Sequence, residues 1–93
     1  MYTHELKQAV VDALAAVPGV LQVNYLQFWG EQDLYIEVAS RTLETIGAID
    51  AALHAVTAGW RGLRPARLRW RVLDAGEVTP ASAVLFDRRT QAA

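Results

Sequence analysis

Apolar residues recur at helical spacing at the start of the chain: Leu6, Ala9, Val10, Ala13, Leu14 and Val17. The spacing predicts a helix over Thr3 to Ala16, with Thr3 as its N-cap. Pro18-Gly19 ends it, because proline disfavours helical geometry in the residue before it and glycine accepts a left-handed turn. The stretch Val20 to Trp29 is rich in β-branched and aromatic residues, and Gly30-Glu31-Gln32-Asp33 supplies turn chemistry before Leu34-Tyr35-Ile36-Glu37-Val38. A hairpin is therefore expected. In its second strand Leu34, Ile36 and Val38 share one face, as in a sheet covered by helices on one side. The first strand alternates less cleanly: Leu21, Val23 and Tyr25 fit the covered face, but Leu26 and Phe28 then fall on the open one unless a bulge shifts the phase.

Ser40 or Thr42 can cap a second helix whose apolar stripe is Leu43, Ile46, Ile49, Leu53, Val56 and Trp60, with Gly59 as its stop. Its other positions include Ala48, Ala51, Ala52, Ala55 and Ala58, so its outer surface is small and uncharged where a solvated helix shows Lys and Glu. After Arg61-Gly62-Leu63-Arg64-Pro65 comes a strand from Ala66 to Leu73, with Leu68, Trp70 and Val72 inward and Arg67, Arg69 and Arg71 outward. Ala83 to Phe86 suits a short fourth strand or a segment lying across the open face, and Asp87 to Ala93 reads as a frayed tail. The order helix, strand, strand, helix, strand over 1–74 defines an α+β fold. It is a two-layer sandwich, ferredoxin-like in general architecture, in which a small mixed sheet carries both helices on one face. Residues 75–93 form a C-terminal extension.

At 93 residues the chain has room for one core and no separate catalytic domain. No cysteine is present, which removes disulfides, thiolate metal sites and thiol nucleophiles. The N-terminus lacks a basic head followed by an apolar run, and no stretch approaches the ~18 apolar residues of a membrane span, so a cytoplasmic location is expected. Hydrophobic residues make up 53% of the chain and charged ones only 20%, which leaves apolar surface for a partner. A homo-oligomer, dimer or higher, is the economical reading.

The net charge of −1 hides a division. Through Ala58, Lys7 and Arg41 stand against seven acidic residues, a local charge of −5; from Gly59 onward seven basic residues face three acidic ones, a local charge of +4. Such halves attract each other within or between subunits. Arg67, Arg69 and Arg71 would line one strip of the sheet, and the leading reading pairs them with Glu37 on the neighbouring strand and with carboxylates of a second subunit. The alternative is an anion surface in which these arginines, with Arg61 and Arg64 in the preceding loop and Tyr35 nearby, hold phosphate or carboxylate. The acidic first half and single lysine argue against nucleic acid, which demands many phosphate contacts.

Catalytic constellations are missing: there is no glycine-rich phosphate loop, and the only serines are Ser40 and Ser82. Glu31 and Asp33 read as exposed turn residues, not as an acid–base pair. His4 and His54 are the only imidazoles, so no metal cluster is indicated, and His54, four residues after Asp50 on the helix, is placed for a hydrogen-bonded pair. No cofactor and no enzymatic activity are expected.

The stretch Val17-Pro18-Gly19-Val20-Leu21-Gln22-Val23, followed by Leu26-Gln27-Phe28-Trp29-Gly30 and a strand ending Ile36-Glu37-Val38, resembles the cytoplasmic domains of cation diffusion facilitators. The resemblance covers about 60 residues and implies the same element order and an associating domain. The strand histidine typical of that family is replaced here by Asn24 or Tyr25, so no metal site carries over. The expectation is a non-catalytic interaction or assembly module acting as a homo-oligomer, with room for a further protein partner; the alternative is an anion- or phosphate-binding module using the arginine strand and its loop.

Overall fold

A computed structural model describes residues 4–28, 31–59, 67–77 and 83–91. Seven elements follow in chain order: α1 (His4–Ala15), β1 (Val20–Phe28), β2 (Glu31–Val38), α2 (Leu43–Gly59), β3 (Arg67–Asp74), β4 (Ala83–Asp87) and a single turn, α3 (Arg88–Gln91). The strands form one mixed sheet in the order β3-β2-β1-β4. β1 pairs antiparallel with both β2 and β4, and β3 runs parallel to β2 because α2 carries the chain back between them. The expected α+β architecture, with both long helices on one face and a short fourth strand, is what the chain adopts.

The core lies between helices and sheet. Leu6, Val10 and Leu14 of α1 and Ile49 and Leu53 of α2 meet Val20, Val23, Leu34, Ile36 and Val38 of the sheet, all essentially without solvent contact. Burying each of these side chains contributes about 1.5–3 kcal/mol. Trp70, expected in the core, is only partly buried, packed at its margin with its indole Nε1 donating to Asp50 Oδ1 at 2.7 Å. Asp50 thus holds the indole, and His54 meets Trp70 edge-on, with ring centroids 5.3 Å apart.

The hairpin departs from expectation in two ways. Phe28 pairs with Glu31, so Glu31, Gln32 and Asp33 belong to β2 and not to a turn, leaving only residues 29 and 30 between the strands. The expected bulge exists but lies at the start of β1: Val20 opposes Val38, Gln22 opposes Glu37, and Leu21 is the extra residue. That places Val20, not Leu21, beside Val23 and Tyr25 under the helices, and leaves Leu26 opposite Asp33 on the open face.

Of the two candidate caps of α2, Thr42 serves: its Oγ1 accepts the Thr45 amide at 3.1 Å, and its carbonyl accepts the Ile46 amide at 2.9 Å. Leu43, expected on the buried stripe, is 90% exposed, because at the first helical position it points away from the sheet. The proposed cap Thr3, the stripe residue Trp60 and the loop arginines Arg61 and Arg64 lie outside the described residues.

The segment from Asp87 through Gln91 is not a frayed tail. Arg88 reaches back under α1, its Nε donating to Val20 O at 2.7 Å and its Nη2 to Ala15 O at 2.7 Å and Val17 O at 3.3 Å. α1 has no basic residue in its own last turn, so this distant arginine supplies the cation there and bonds the carbonyl of its last residue, Ala15.

Candidate functional site

The helix-free face of the sheet carries the candidate residues, and strand register decides their neighbours. On β3, Arg67 stands opposite Glu31, Arg69 opposite Asp33, Arg71 opposite Tyr35 and Leu73 opposite Glu37. Arg69 of the strip therefore faces a carboxylate and Arg71 a phenol. Arg69 Nε donates to Asp33 Oδ1 at 3.2 Å. With side chains 56% and 20% exposed, that pair contributes about 0–1 kcal/mol.

Glu37 is not the partner of the arginine strand. It is buried, and both its oxygens are occupied: Arg89 Nη2 donates to Oε1 at 3.0 Å and the Gly76 amide to Oε2 at 3.1 Å. Gly76 can offer that amide because its positive φ of 87° closes the turn in which Glu77 N bonds Asp74 O at 3.1 Å. Arg89 also donates to Asp87 Oδ1, through its backbone amide at 2.9 Å and through Nε at 3.3 Å. Gln22 Nε2 bonds Asp87 Oδ2 at 3.0 Å, and buried Asn24 donates to Gln22 Oε1 at 2.8 Å. The hydrogen bond from Gln22, reinforced by Arg89, holds the Asp87 carboxyl below its ordinary pKa. The hydrogen bond to Asp87 and the charge of Glu37 push the Arg89 guanidinium up.

Sequence reasoning missed Arg88 and Arg89. Apart from Asp87, their partners lie 52 to 73 residues away, and a pair of arginines after a short strand carries no periodic signal.

Between β2 and β3 the open face sinks into a cleft of about 160 Å³ lined by Asp33, Leu34, Tyr35, Arg69, Trp70 and Arg71. Leu34 and Trp70 turn their side chains toward the helices, so the cleft's charge comes from Asp33, Arg69 and Arg71, with the Tyr35 phenol beside them. Arg71 is exposed and holds no hydrogen bond or ion pair among the described residues, and the Tyr35 hydroxyl is likewise unengaged there. Arg67 lies in the strand on the same strip. On the helix side, Tyr25 donates to buried Gln32 Oε1 at 2.7 Å with the Lys7 ammonium 4.4 Å from its ring centre, and burial pushes its hydroxyl pKa up. Among the described residues no group of three or more His, Cys, Asp or Glu side chains is placed to hold a metal ion.

A two-layer α+β domain, helices on one side and a polar sheet face on the other, is thus the class this chain falls into. Among solved structures it is similar to a tryptophan-to-alanine variant of the MamM CTD, at 25% identity and a TM-score of 0.51, over 83% of this chain and 90% of that one. The copper form of the MamM CTD aligns at 22% identity and a TM-score of 0.47 over 83% and 92% of the two chains. The zinc form of an aspartate-to-asparagine variant aligns at 20% and 0.48 over 86% and 93%. No protein-family model matches the chain, and no curated protein matches it by sequence. Among the described residues no helix is long and apolar enough to cross a membrane.

Proposed function

We propose that this chain is a non-catalytic interaction module that works in the cytoplasm as a homo-oligomer, joining copies of itself through the outer face of α2. One observation carries the reading. Leu43, 90% exposed, heads an outward surface in which Gly47, Ala48, Ala51, Ala55 and Ala58 are all exposed. A helix facing only water is usually charged on that side. Here Glu44 and His54 are the polar exceptions. Small side chains let a second helix approach closely, and a large exposed apolar residue at one end gives such a contact its anchor. The likeness in fold to the MamM CTD and the sequence resemblance to cation diffusion facilitator cytoplasmic domains favour an associating module over an enzyme.

Sedimentation equilibrium from about 10 μM to 1 mM tests this, where the tighter specific interfaces are populated. The mass should rise above the 10.2 kDa of one chain, and Ala51→Glu should return it to that value without lowering the melting temperature of the monomer. A constant 10.2 kDa mass across the range refutes the proposal.

A further inference from the structure

We propose that the cleft between β2 and β3 binds one phosphate group of a small molecule, with Arg71 as its main ligand and Tyr35 as a second. The register makes Arg71 the odd member of the strip: Arg67 and Arg69 stand opposite Glu31 and Asp33, while Arg71 stands opposite Tyr35. The buried carboxylate one step further along β2, Glu37, is occupied by Arg89 and the Gly76 amide, so it does not neutralise Arg71. An exposed guanidinium that no carboxylate among the described residues bonds, at the wall of a cleft, is a standing anion receptor.

Its donor count suits phosphate. The guanidinium fork can engage two oxygens and the Tyr35 hydroxyl a third, matching the three terminal oxygens of a phosphate monoester, whereas a carboxylate has two. At about 160 Å³ the cleft encloses a head group and not a whole ligand, since pockets for drug-sized molecules run to roughly 300–1,000 Å³. Asp33, also in the cleft wall, restricts the site to a single anionic group: a polyanion lying along β3 would meet Asp33 and the strand position of Glu31. That selects a phosphorylated small molecule over nucleic acid. The site lies on the sheet face opposite the helices, so it goes beyond the assembly reading and does not depend on it.

The test is a titration of the ¹⁵N-labelled full chain with inorganic phosphate, followed by amide shifts at constant ionic strength set with sodium chloride, with acetate as a parallel arm. Shifts should concentrate at residues 33–35 and 69–71 and saturate with a Kd of roughly 1 mM, typical of one charged group held by a few bonds. Arg71→Gln and Tyr35→Phe should each weaken phosphate binding by about tenfold or more, because a hydrogen bond to a charged group is worth about that much. Acetate should bind several-fold more weakly than phosphate. The Arg71 side chain makes no hydrogen bond or ion pair among the described residues, so the variant should melt with the wild type; if it does not, Arg71→Lys, which keeps the charge but loses the fork, must still weaken phosphate binding, by less than Arg71→Gln. Shifts spread over Arg41, Arg88 and Arg89, equal binding of acetate, or unchanged affinity in the Arg71 variants would overturn the proposal. Sedimentation of the same samples separates the two readings: cleft shifts at a constant 10.2 kDa sink the oligomer and leave the site standing.

Discussion

Replacing Arg88 by alanine removes one side chain just past the last strand's end and should loosen the C-terminal end of the first helix. The guanidinium donates to Val20 O and Ala15 O, both at 2.7 Å, and to Val17 O at 3.3 Å, and it lies 5.3 Å from the centre of the Phe86 ring. A hydrogen bond to a charged group is worth about 1.5–3 kcal/mol, and an orphaned buried carbonyl costs about 1–3. The two short bonds share one guanidinium and the site is half-buried, so water recovers part of the loss and the contributions do not add in full. The expected cost is about 2–4 kcal/mol, which in a domain of this size lowers Tm by roughly 10–25 °C. Urea unfolding followed by circular dichroism measures it, with an unchanged m-value marking a true stability effect. Arg88→Lys keeps a cation near the helix end, worth only about 0.3–1 kcal/mol, so it should recover less than half of the loss. A loss below about 0.5 kcal/mol in Arg88→Ala would refute the reasoning, since it would mean that water serves the three carbonyls as well as arginine does.

Leu53 is fully buried at the centre of the core, so Leu53→Ala should cost about 2–5 kcal/mol in urea unfolding; a surface-like loss would contradict the phase of α2. Stability should fall on both sides of neutrality. Asp87 has a lowered folded pKa, so its contribution is present above the ordinary carboxyl value near 4 and is lost as pH falls through the folded value; Asp87→Asn should flatten this acid limb, and an identical limb in the variant would exclude Asp87 as its source. Tyr25 has a raised folded pKa, so stability is full below about pH 10 and declines as pH rises toward the folded value, when the unfolded chain ionises first; Tyr25→Phe should remove that decline, and its persistence would point to another group.

Periodicity made the elements legible where one face is buried. The spacing of Leu6, Val10 and Leu14, of Ile49 and Leu53, and the alternation of Leu34, Ile36 and Val38 each report a helix or strand against a single apolar surface. The misreadings fall where that surface ends. Leu43 continues the helical period but sits in the first turn of α2, beyond the reach of the sheet, so spacing alone overstated its burial. Glu31 to Asp33 have turn-like composition, yet cross-strand register holds them in β2. The arginine strip was visible as period-two alternation, but its partners were not, because register between strands joined by a 17-residue helix is a tertiary property. The same holds for Glu37, whose charge is answered by Arg89 from 52 residues away.

The opposite charges of the two halves change meaning once these pairs are seen. Asp33 is bonded by Arg69 and Glu37 by Arg89, so acidic first half and basic second half already meet inside one chain. Glu37 is buried and both its oxygens already accept a bond within the chain, so it presents little to a second subunit. Copies joined by the arginine strip would have to break these bonds or rely on exposed charges, which salt screens within about 8–10 Å. Copies joined by α2 would bury Leu43 and a row of alanines, a contact with little charge to screen. The two routes therefore separate in one experiment: association measured by sedimentation at 50 mM and 500 mM salt, in the wild type and in the triple replacement of Arg67, Arg69 and Arg71 by glutamine. Association through α2 should persist at high salt and in the triple variant, because apolar contact is strengthened or unchanged when charges are screened. Dissociation under either condition would return the interface to the arginine strip and count against the outer face of α2.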